Sequence, residues 1–155
     1  MATIKASLKS GTAVDIRSRQ FLWRSDEPPE AGGANSGPTP YEFLLGSFAA
    51  CMAMTLLLYA TQKNISLAGV DVILECDRVH SDDCVNCDGR PDGLVNQIES
   101  QITVYGDLTS VERDQLLQVA RRCPVHKTLE QGLQITDTVT FSTYVFCDRD
   151  DPVVL

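Results

Sequence analysis

The chain has 155 residues, of which 43% are hydrophobic, and its formal net charge is −8 at pH 7. That length predicts a single domain over residues 1–155, with enough apolar material to bury a core. Because phosphate backbones and anionic lipids repel an acidic chain, the charge argues against nucleic acid and against a membrane as partners. We expect small molecules and a second copy of the chain instead.

Cysteine usage raises the first functional question. The N-terminal residues lack a basic region followed by an apolar run and a cleavage site, so we expect a cytoplasmic protein. The chain has six cysteines. In a reducing compartment such residues are more often catalytic or metal-binding than paired in structural disulfides.

The N-terminal region predicts a small sheet followed by a loop. Stretches rich in β-branched and apolar residues predict strands at 3–9, 12–17 and 20–25. Mixed prolines and glycines at 26–38 predict a loop.

A long apolar helix is predicted next, from Thr39 to Lys63, with Thr39 as N-cap, Pro40 at the first helical position and Glu42 closing a capping box. Residues 43–62 carry no charge and are long enough to cross a bilayer. Polar residues within the stretch and the near absence of basic flanks favour a fully buried central helix. A second subunit would be needed to help cover it.

The second half predicts two strands, two helices and a closing strand. Alternating residues at 70–76 and 97–104 predict an antiparallel ribbon. A capping box at 109–112 opens a helix through Arg122, and Cys123-Pro124 starts a short helix to about Gln131. Residues 133–146, rich in Thr, Val and Phe, predict the last strand.

Four short motifs carry a family resemblance: Gly32-Gly33, the helix start Thr39-Pro40-Tyr41-Glu42, Ala49-Ala50-Cys51 and Cys123-Pro124-Val125. In this order and at this separation they resemble the OsmC/Ohr family of thiol peroxidases, and in particular its OsmC-like branch. The resemblance implies an α+β OsmC-like fold, with antiparallel sheets wrapped around a long central helix in an intertwined homodimer.

The resemblance also implies a reaction. Cys51 would attack an organic hydroperoxide and become a sulfenic acid, and Cys123 would condense with it to a disulfide. A dithiol, either lipoyl-type or a small thiol, would reduce that disulfide, and no cofactor or metal would be needed. The protein would thus serve in oxidative stress defence. The alternative is a non-catalytic small-molecule binding or redox-sensing protein of the same fold.

Local physical chemistry opposes these roles. Cys123 is predicted at the N-cap of a helix, where backbone N–H groups and the dipole lower a thiol pKa, whereas burial of Cys51 raises its pKa. By that argument alone Cys123 would be the attacking thiol. His126, three residues later, could face Cys123 across one helical turn or could simply be packed or solvated.

The family also implies an arginine from the N-terminal hairpin that reaches the helix cysteine and is oriented by Glu42. No motif chooses among the three candidates in that region: Arg17, Arg19 and Arg24. As a capping-box residue, Glu42 also has a structural reason to be there.

A separate group, Cys76, His80, Cys84 and Cys87, has the ligand types of a tetrahedral zinc site. Cys76 and His80 lie on or near a strand, however, where four residues span over ~10 Å. Acidic neighbours of Cys84 and Cys87 also raise their pKa values. Free surface thiols or a labile disulfide, a metal site and an accessory redox role stay open, and we expect little zinc.

Overall fold

The computed structural model describes residues 3–8, 10–80 and 94–141. The described residues fall into two compact units. One contains the residues up to Thr39 together with those from Gln134 onward, and the other is Pro40–Leu133.

The first unit contains the predicted three-stranded meander. Its strands are β1 (Lys5–Leu8), β2 (Val14–Ser18) and β3 (Phe21–Ser25), which pair antiparallel in the order β1-β2-β3. The β2–β3 hairpin turns at Arg19, which has φ 51°.

The loop after β3 is organised by one buried carboxylate. Asp26 is only 2% exposed. It accepts hydrogen bonds from the Thr12 hydroxyl at 2.6 Å and from the backbone N–H groups of Glu27, Ala34 and Ser36 at 2.9–3.1 Å. The Ser36 hydroxyl also donates to it, at 2.8 Å. The hydrogen bonds from Thr12, from the N–H and hydroxyl of Ser36 and from the Glu27 N–H lower the pKa of Asp26 far below the ordinary carboxyl range. The loop is therefore ordered, and it contains one 3₁₀ turn at Pro29–Ala31.

Two glycines of this loop are required by close backbone approach. A Cβ atom at Gly33 would collide with the Glu27 carbonyl, and one at Gly37 would collide with the Arg24 carbonyl. The glycine-rich approach to the long helix thus has a packing reason of its own.

The second unit packs three helices on a two-stranded ribbon. Its elements are α1 (Pro40–Lys63), β4 (Leu67–His80), β5 (Leu94–Gly106), α2 (Ser110–Ala120) and α3 (Pro124–Gln131). The antiparallel β4–β5 ladder runs from Leu67↔Gly106 to His80↔Leu94. It is longer than predicted, because backbone pairing continues through polar residues that break the apolar alternation.

The helix boundaries follow from local signals. The capping box of α2 is confirmed, since the Glu112 carboxylate accepts from the Thr109 N–H at 2.8 Å and the Glu112 N–H donates to the Thr109 hydroxyl at 3.3 Å. The helix ends at Ala120 rather than at Arg122. Pro124 opens α3 as predicted.

Among the described residues, the buried side chains of α1 lie on one face of the helix. Phe48, Met52, Leu56 and Ala60 form its buried stripe at four-residue spacing. Met54, Leu57 and Leu58 are more than half exposed. Within the described residues, the ribbon, α2 and α3 cover one side of α1. The predicted burial on all sides, which called for a second subunit, is thus not reached within one chain and stays a prediction.

Within the described residues, α1 alone is long and apolar enough to cross a membrane, with a mean hydropathy of 1.9 and 22% of that window buried. Length and composition are weak evidence for a span, because the core helix of a globular domain has both.

The predicted closing strand at 133–146 is not formed in its described part. Residues up to Phe141 belong to no strand, and their alternating apolar side chains are exposed, with Phe141 at 92%. Alternation supplies an apolar face, but a strand also needs a backbone partner, and none of the described strands pairs with this segment. Residues 142–146 lie outside the described residues.

Candidate active site

Two cysteines from different helices are brought together in the second unit. Cys51 lies on α1 beside the buried stripe and is partly buried, whereas Cys123, the N-cap of α3, has no exposed surface. Phe48, Met52 and Cys123 form a buried cluster against which Cys51 and Val125 pack. Pro124 fits the first helical position, since its missing N–H would have no helical partner there.

Hydrogen bonds at this cluster favour the thiolate form of Cys51. Burial alone would raise the pKa of Cys51. The Cys123 thiol, the Val125 backbone N–H and the Thr55 hydroxyl can all donate to the ionised sulfur, however, and together they bring the pKa of Cys51 below its ordinary value. Cys51 is therefore the more easily ionised thiol of the pair.

The pKa of Cys123 is shifted in the opposite direction. Burial and the hydrogen bond to Cys51 raise the pKa of Cys123, although the backbone N–H groups of His126 and Val125 partly oppose that rise. The directions of the two shifts oppose the N-cap argument, which predicted Cys123 as the more acidic thiol. That argument neglected both the complete burial of Cys123 and the Val125 N–H, which also serves Cys51.

His126 is packed rather than bonded to the thiols through its side chain. Its ring meets the Phe48 ring edge to face, with centroids 5.5 Å apart and an interplanar angle of 79°. Its Nδ1 atom is buried without a hydrogen-bond partner among the described residues. A cavity of about 200 Å³ adjoins it and is lined in part by Phe48, Ile98 and Leu129. This cavity shares Phe48 and Ile98 with the surroundings of the thiol pair.

Glu42 is not brought to the thiols by the helix that carries it. It lies in the first turn of α1, nine residues before Cys51. By helix geometry that separation is ~13 Å along the axis and about half a turn around it. Its role in orienting an arginine stays a prediction.

The three candidate arginines have different surroundings in the first unit. Arg24 is held by Asp15, with its Nη2 2.6 Å and its Nε 2.8 Å from the carboxylate. The Arg19 guanidinium lies 5.1 Å from the centre of the Phe21 ring. Arg17 has no ion pair or hydrogen bond from its side chain to another described residue, and it pairs across the β1–β2 ladder with Lys5.

Comparison with known proteins agrees with the fold and the motifs. The family model for OsmC-like proteins matches residues 33–137, about two thirds of the chain. The chain belongs to the OsmC-like family. No curated protein sequence matches it significantly.

Solved structures of other OsmC-like proteins have the same fold. An OsmC-like protein from Mycoplasma pneumoniae is 24% identical, with a TM-score of 0.63 over 84% of this chain and 87% of that one. The organic hydroperoxide resistance protein OsmC from Legionella pneumophila is 19% identical, with a TM-score of 0.61 over 83% and 88%. OhrB of Bacillus subtilis is 20% identical, with a TM-score of 0.56 over 83% and 89%. At these identities the likeness establishes the α+β fold.

The second cysteine group of this OsmC-like protein lies away from the thiol pair in sequence and is only partly described. Cys76 and His80 both belong to β4, where they pair with Ile98 and Leu94. Four residues along a strand span ~13 Å. Cys84 and Cys87 lie outside the described residues. Within the described ranges, no group of three or more His, Cys, Asp and Glu residues could hold a metal ion.

Sequence reasoning missed two donors to Cys51. Thr55 follows Cys51 by four residues, a spacing that places it on the same helix face, so this signal was present in the sequence. The backbone N–H groups at the start of α3 were expected to serve Cys123. That the Val125 N–H also serves Cys51 depends on how α3 packs on α1, which no local pattern reveals.

Proposed function

We propose that this OsmC-like protein is a thiol-dependent peroxidase that reduces organic hydroperoxides in oxidative stress defence. The observation that carries the proposal is the hydrogen bond between Cys51 and Cys123, in which Cys51 is the thiol with the lowered pKa. A thiolate is the form that attacks a peroxide. A second thiol in contact can then trap the oxidised product.

The reaction follows in two steps. The Cys51 thiolate attacks the terminal peroxide oxygen, the O–O bond breaks, and the alkoxide leaves as the alcohol after taking a proton from solvent. Cys51 is then a sulfenic acid. The Cys123 thiol attacks that sulfur, a disulfide forms and water leaves. A lipoyl-type or small dithiol restores both thiols by two exchange steps and is itself oxidised.

The family resemblance leaves three arginines of the N-terminal hairpin as candidates for an assisting cation. Arg24 is engaged by Asp15 and Arg19 lies over Phe21. Arg17 has no such contact with another described residue, and we therefore propose it as the assisting arginine.

We also propose a cytoplasmic homodimer. Its support is the exposed apolar side of α1, with Met54, Leu57 and Leu58, together with the unpaired apolar alternation from Leu133 to Phe141. Exposed surfaces of this kind are usual at interfaces between subunits. A second copy would offer both a cover for the helix and a backbone partner for the segment.

Turnover of cumene hydroperoxide with dihydrolipoamide tests the function. The native chain should consume peroxide catalytically, Cys51→Ser should not, and Cys123→Ser should accumulate a trappable sulfenic acid on Cys51. Cys76→Ser, which alters a free thiol outside the pair, is the matched control and should retain activity.

Two outcomes would contradict this proposal. Continued consumption by Cys51→Ser, with a sulfenic acid on Cys123, would reverse the two roles. If peroxide oxidises the native Cys51–Cys123 pair once but no dithiol concentration gives turnover, the redox-sensing alternative is favoured.

A further inference from the structure

Two threonines of α1 bond back to the helix in the same way. The Thr55 hydroxyl donates to the Cys51 carbonyl at 2.7 Å, and the Thr61 hydroxyl donates to the Leu57 carbonyl at 2.9 Å. Both are four-residue back-bonds, which are common for threonine in helices. Thr55 is partly buried and Thr61 is exposed.

Thr55 differs from Thr61 in having a second acceptor within reach. The residue four positions before Thr55 is Cys51, whose sulfur lies on the same helix face and can accept a hydrogen bond, whereas the residue four positions before Thr61 is Leu57. A hydroxyl carries one proton, which rotates about the Cβ–Oγ1 bond to suit its acceptor, so it serves one of the two atoms at a time. The choice between carbonyl and sulfur therefore depends on which atom attracts the proton more strongly.

We propose that Thr55 is a positioning residue whose hydroxyl turns from the Cys51 carbonyl to the Cys51 sulfur when that thiol ionises. A hydrogen bond to an anion is roughly twice as strong as one to a neutral acceptor. The carbonyl loses little, because in the helix it also accepts from the backbone N–H four residues later. Only a rotation of the hydroxyl is needed.

The location of Thr55 gives it a role that the other two donors cannot have. Cys123 and Val125 belong to α3 and its N-cap, and Cys123 is consumed when the disulfide forms. Thr55 lies on the same helix as Cys51, one turn away, so its distance from the sulfur does not depend on the position of α3. It can thus still stabilise Cys51 as the departing thiolate when a reductant opens the disulfide.

This inference rests on the proposed function in taking Cys51 as the reactive thiol, but its test needs no peroxide. The rate at which iodoacetamide alkylates Cys51 is measured against pH in the reduced full-length protein, with mass spectrometry of the peptide that contains Cys51. In the Thr55→Val variant, Cys51 should be alkylated about tenfold more slowly near pH 7, because a hydrogen bond to a charged group stabilises the thiolate by about that factor. At high pH the alkylation rate should reach the same maximum as in the native chain.

Matched variants separate this role from helix stability. Thr55→Ala also removes the hydroxyl and should give the same shift even if valine disturbs the fold, whereas Thr55→Ser should restore the native profile. Thr61→Val removes the equivalent back-bond away from the thiols and should leave the profile unchanged.

An unchanged pH profile in Thr55→Ala would overturn the inference, as would an equal shift in Thr61→Val. A native protein that fails to turn over peroxide, while Thr55→Ala still shifts the alkylation profile, would refute the peroxidase proposal and leave the Thr55 role standing.

Discussion

The Cys123 thiol hydrogen bonds to the Cys51 sulfur, and the two pKa values are shifted in opposite directions. The pKa of Cys51 is lowered because Cys51 accepts, and the pKa of Cys123 is raised because Cys123 keeps its proton to donate. Placement at a helix N-terminus does not make Cys123 the more acidic thiol, since that residue is completely buried. The resolving thiol of the proposed reaction thus also activates the attacking one.

Removing the Cys123 donor should make Cys51 less reactive. Cys123→Ala leaves Cys51 without one of its donors, so the alkylation rate of Cys51 near pH 7 should fall by about threefold to tenfold. In Cys123→Ser a hydroxyl donor remains, so the alkylation rate of Cys51 should fall less. Cys76→Ala serves as the control, and pH-dependent alkylation is the measurement. A Cys51 profile that is identical in Cys123→Ala and the native chain would contradict the direction of activation.

Arg17 should matter more than its neighbours on the hairpin. Arg17→Ala should lower kcat/KM for cumene hydroperoxide at least about tenfold, because a charge-assisted hydrogen bond contributes ~1.5–3 kcal/mol. Arg19→Ala removes only the contact with Phe21 and should cost little. Steady-state kinetics of both variants measures the two losses in kcat/KM. Equal losses in the two, or none in Arg17→Ala, would remove Arg17 from the site.

The exposed face of α1 should be a subunit interface. Sedimentation of the native chain at micromolar concentration should give about twice 17.0 kDa. Leu58→Glu should give monomers, because an interface that buries an unpaired charge is strongly destabilised. Leu117→Glu on α2, where the native leucine has the same 66% exposure, should stay dimeric. A monomeric native chain would contradict the proposed assembly.

Asp26 should make the N-terminal loop sensitive to acid. The pKa of Asp26 in the folded chain is far below the ordinary 3.8, so only the unfolded chain takes up a proton as the pH falls through that value. The stabilisation is present above that pH and declines below it. Urea unfolding should therefore find Asp26→Asn less stable than the native chain at pH 7, with a smaller difference in acid.

Asp114→Asn, which changes an exposed carboxylate of α2, is the control for the Asp26 experiment. Its free energy of unfolding should match that of the native chain both at pH 7 and in acid. An Asp26→Asn variant as stable as the native chain at pH 7 would mean that the five donors do not stabilise the loop through its charge.

Local sequence signals determined the elements that carry the site. The capping box at Thr109 and Glu112, the Pro124 helix start and the Pro40 helix start each act within one turn of chain, so the helices were predictable from the residues alone. The paired cysteine motifs identified the family. The hydrogen bonds to Asp26 were not predictable, because three of the five come from Thr12 and Ser36, ten or more residues away on either side.

Tertiary structure alone decided which cysteine is the acid of the pair. The relevant contacts join α1 to α3 across about seventy residues of sequence, and they depend on the packing of Phe48, Met52 and Cys123. The same holds for the segment from Leu133 to Phe141, whose alternation is correct for a strand but whose backbone has no partner among the described strands. Sequence fixes local conformation through neighbouring residues, whereas acidity and strand pairing depend on groups that only the folded chain brings together.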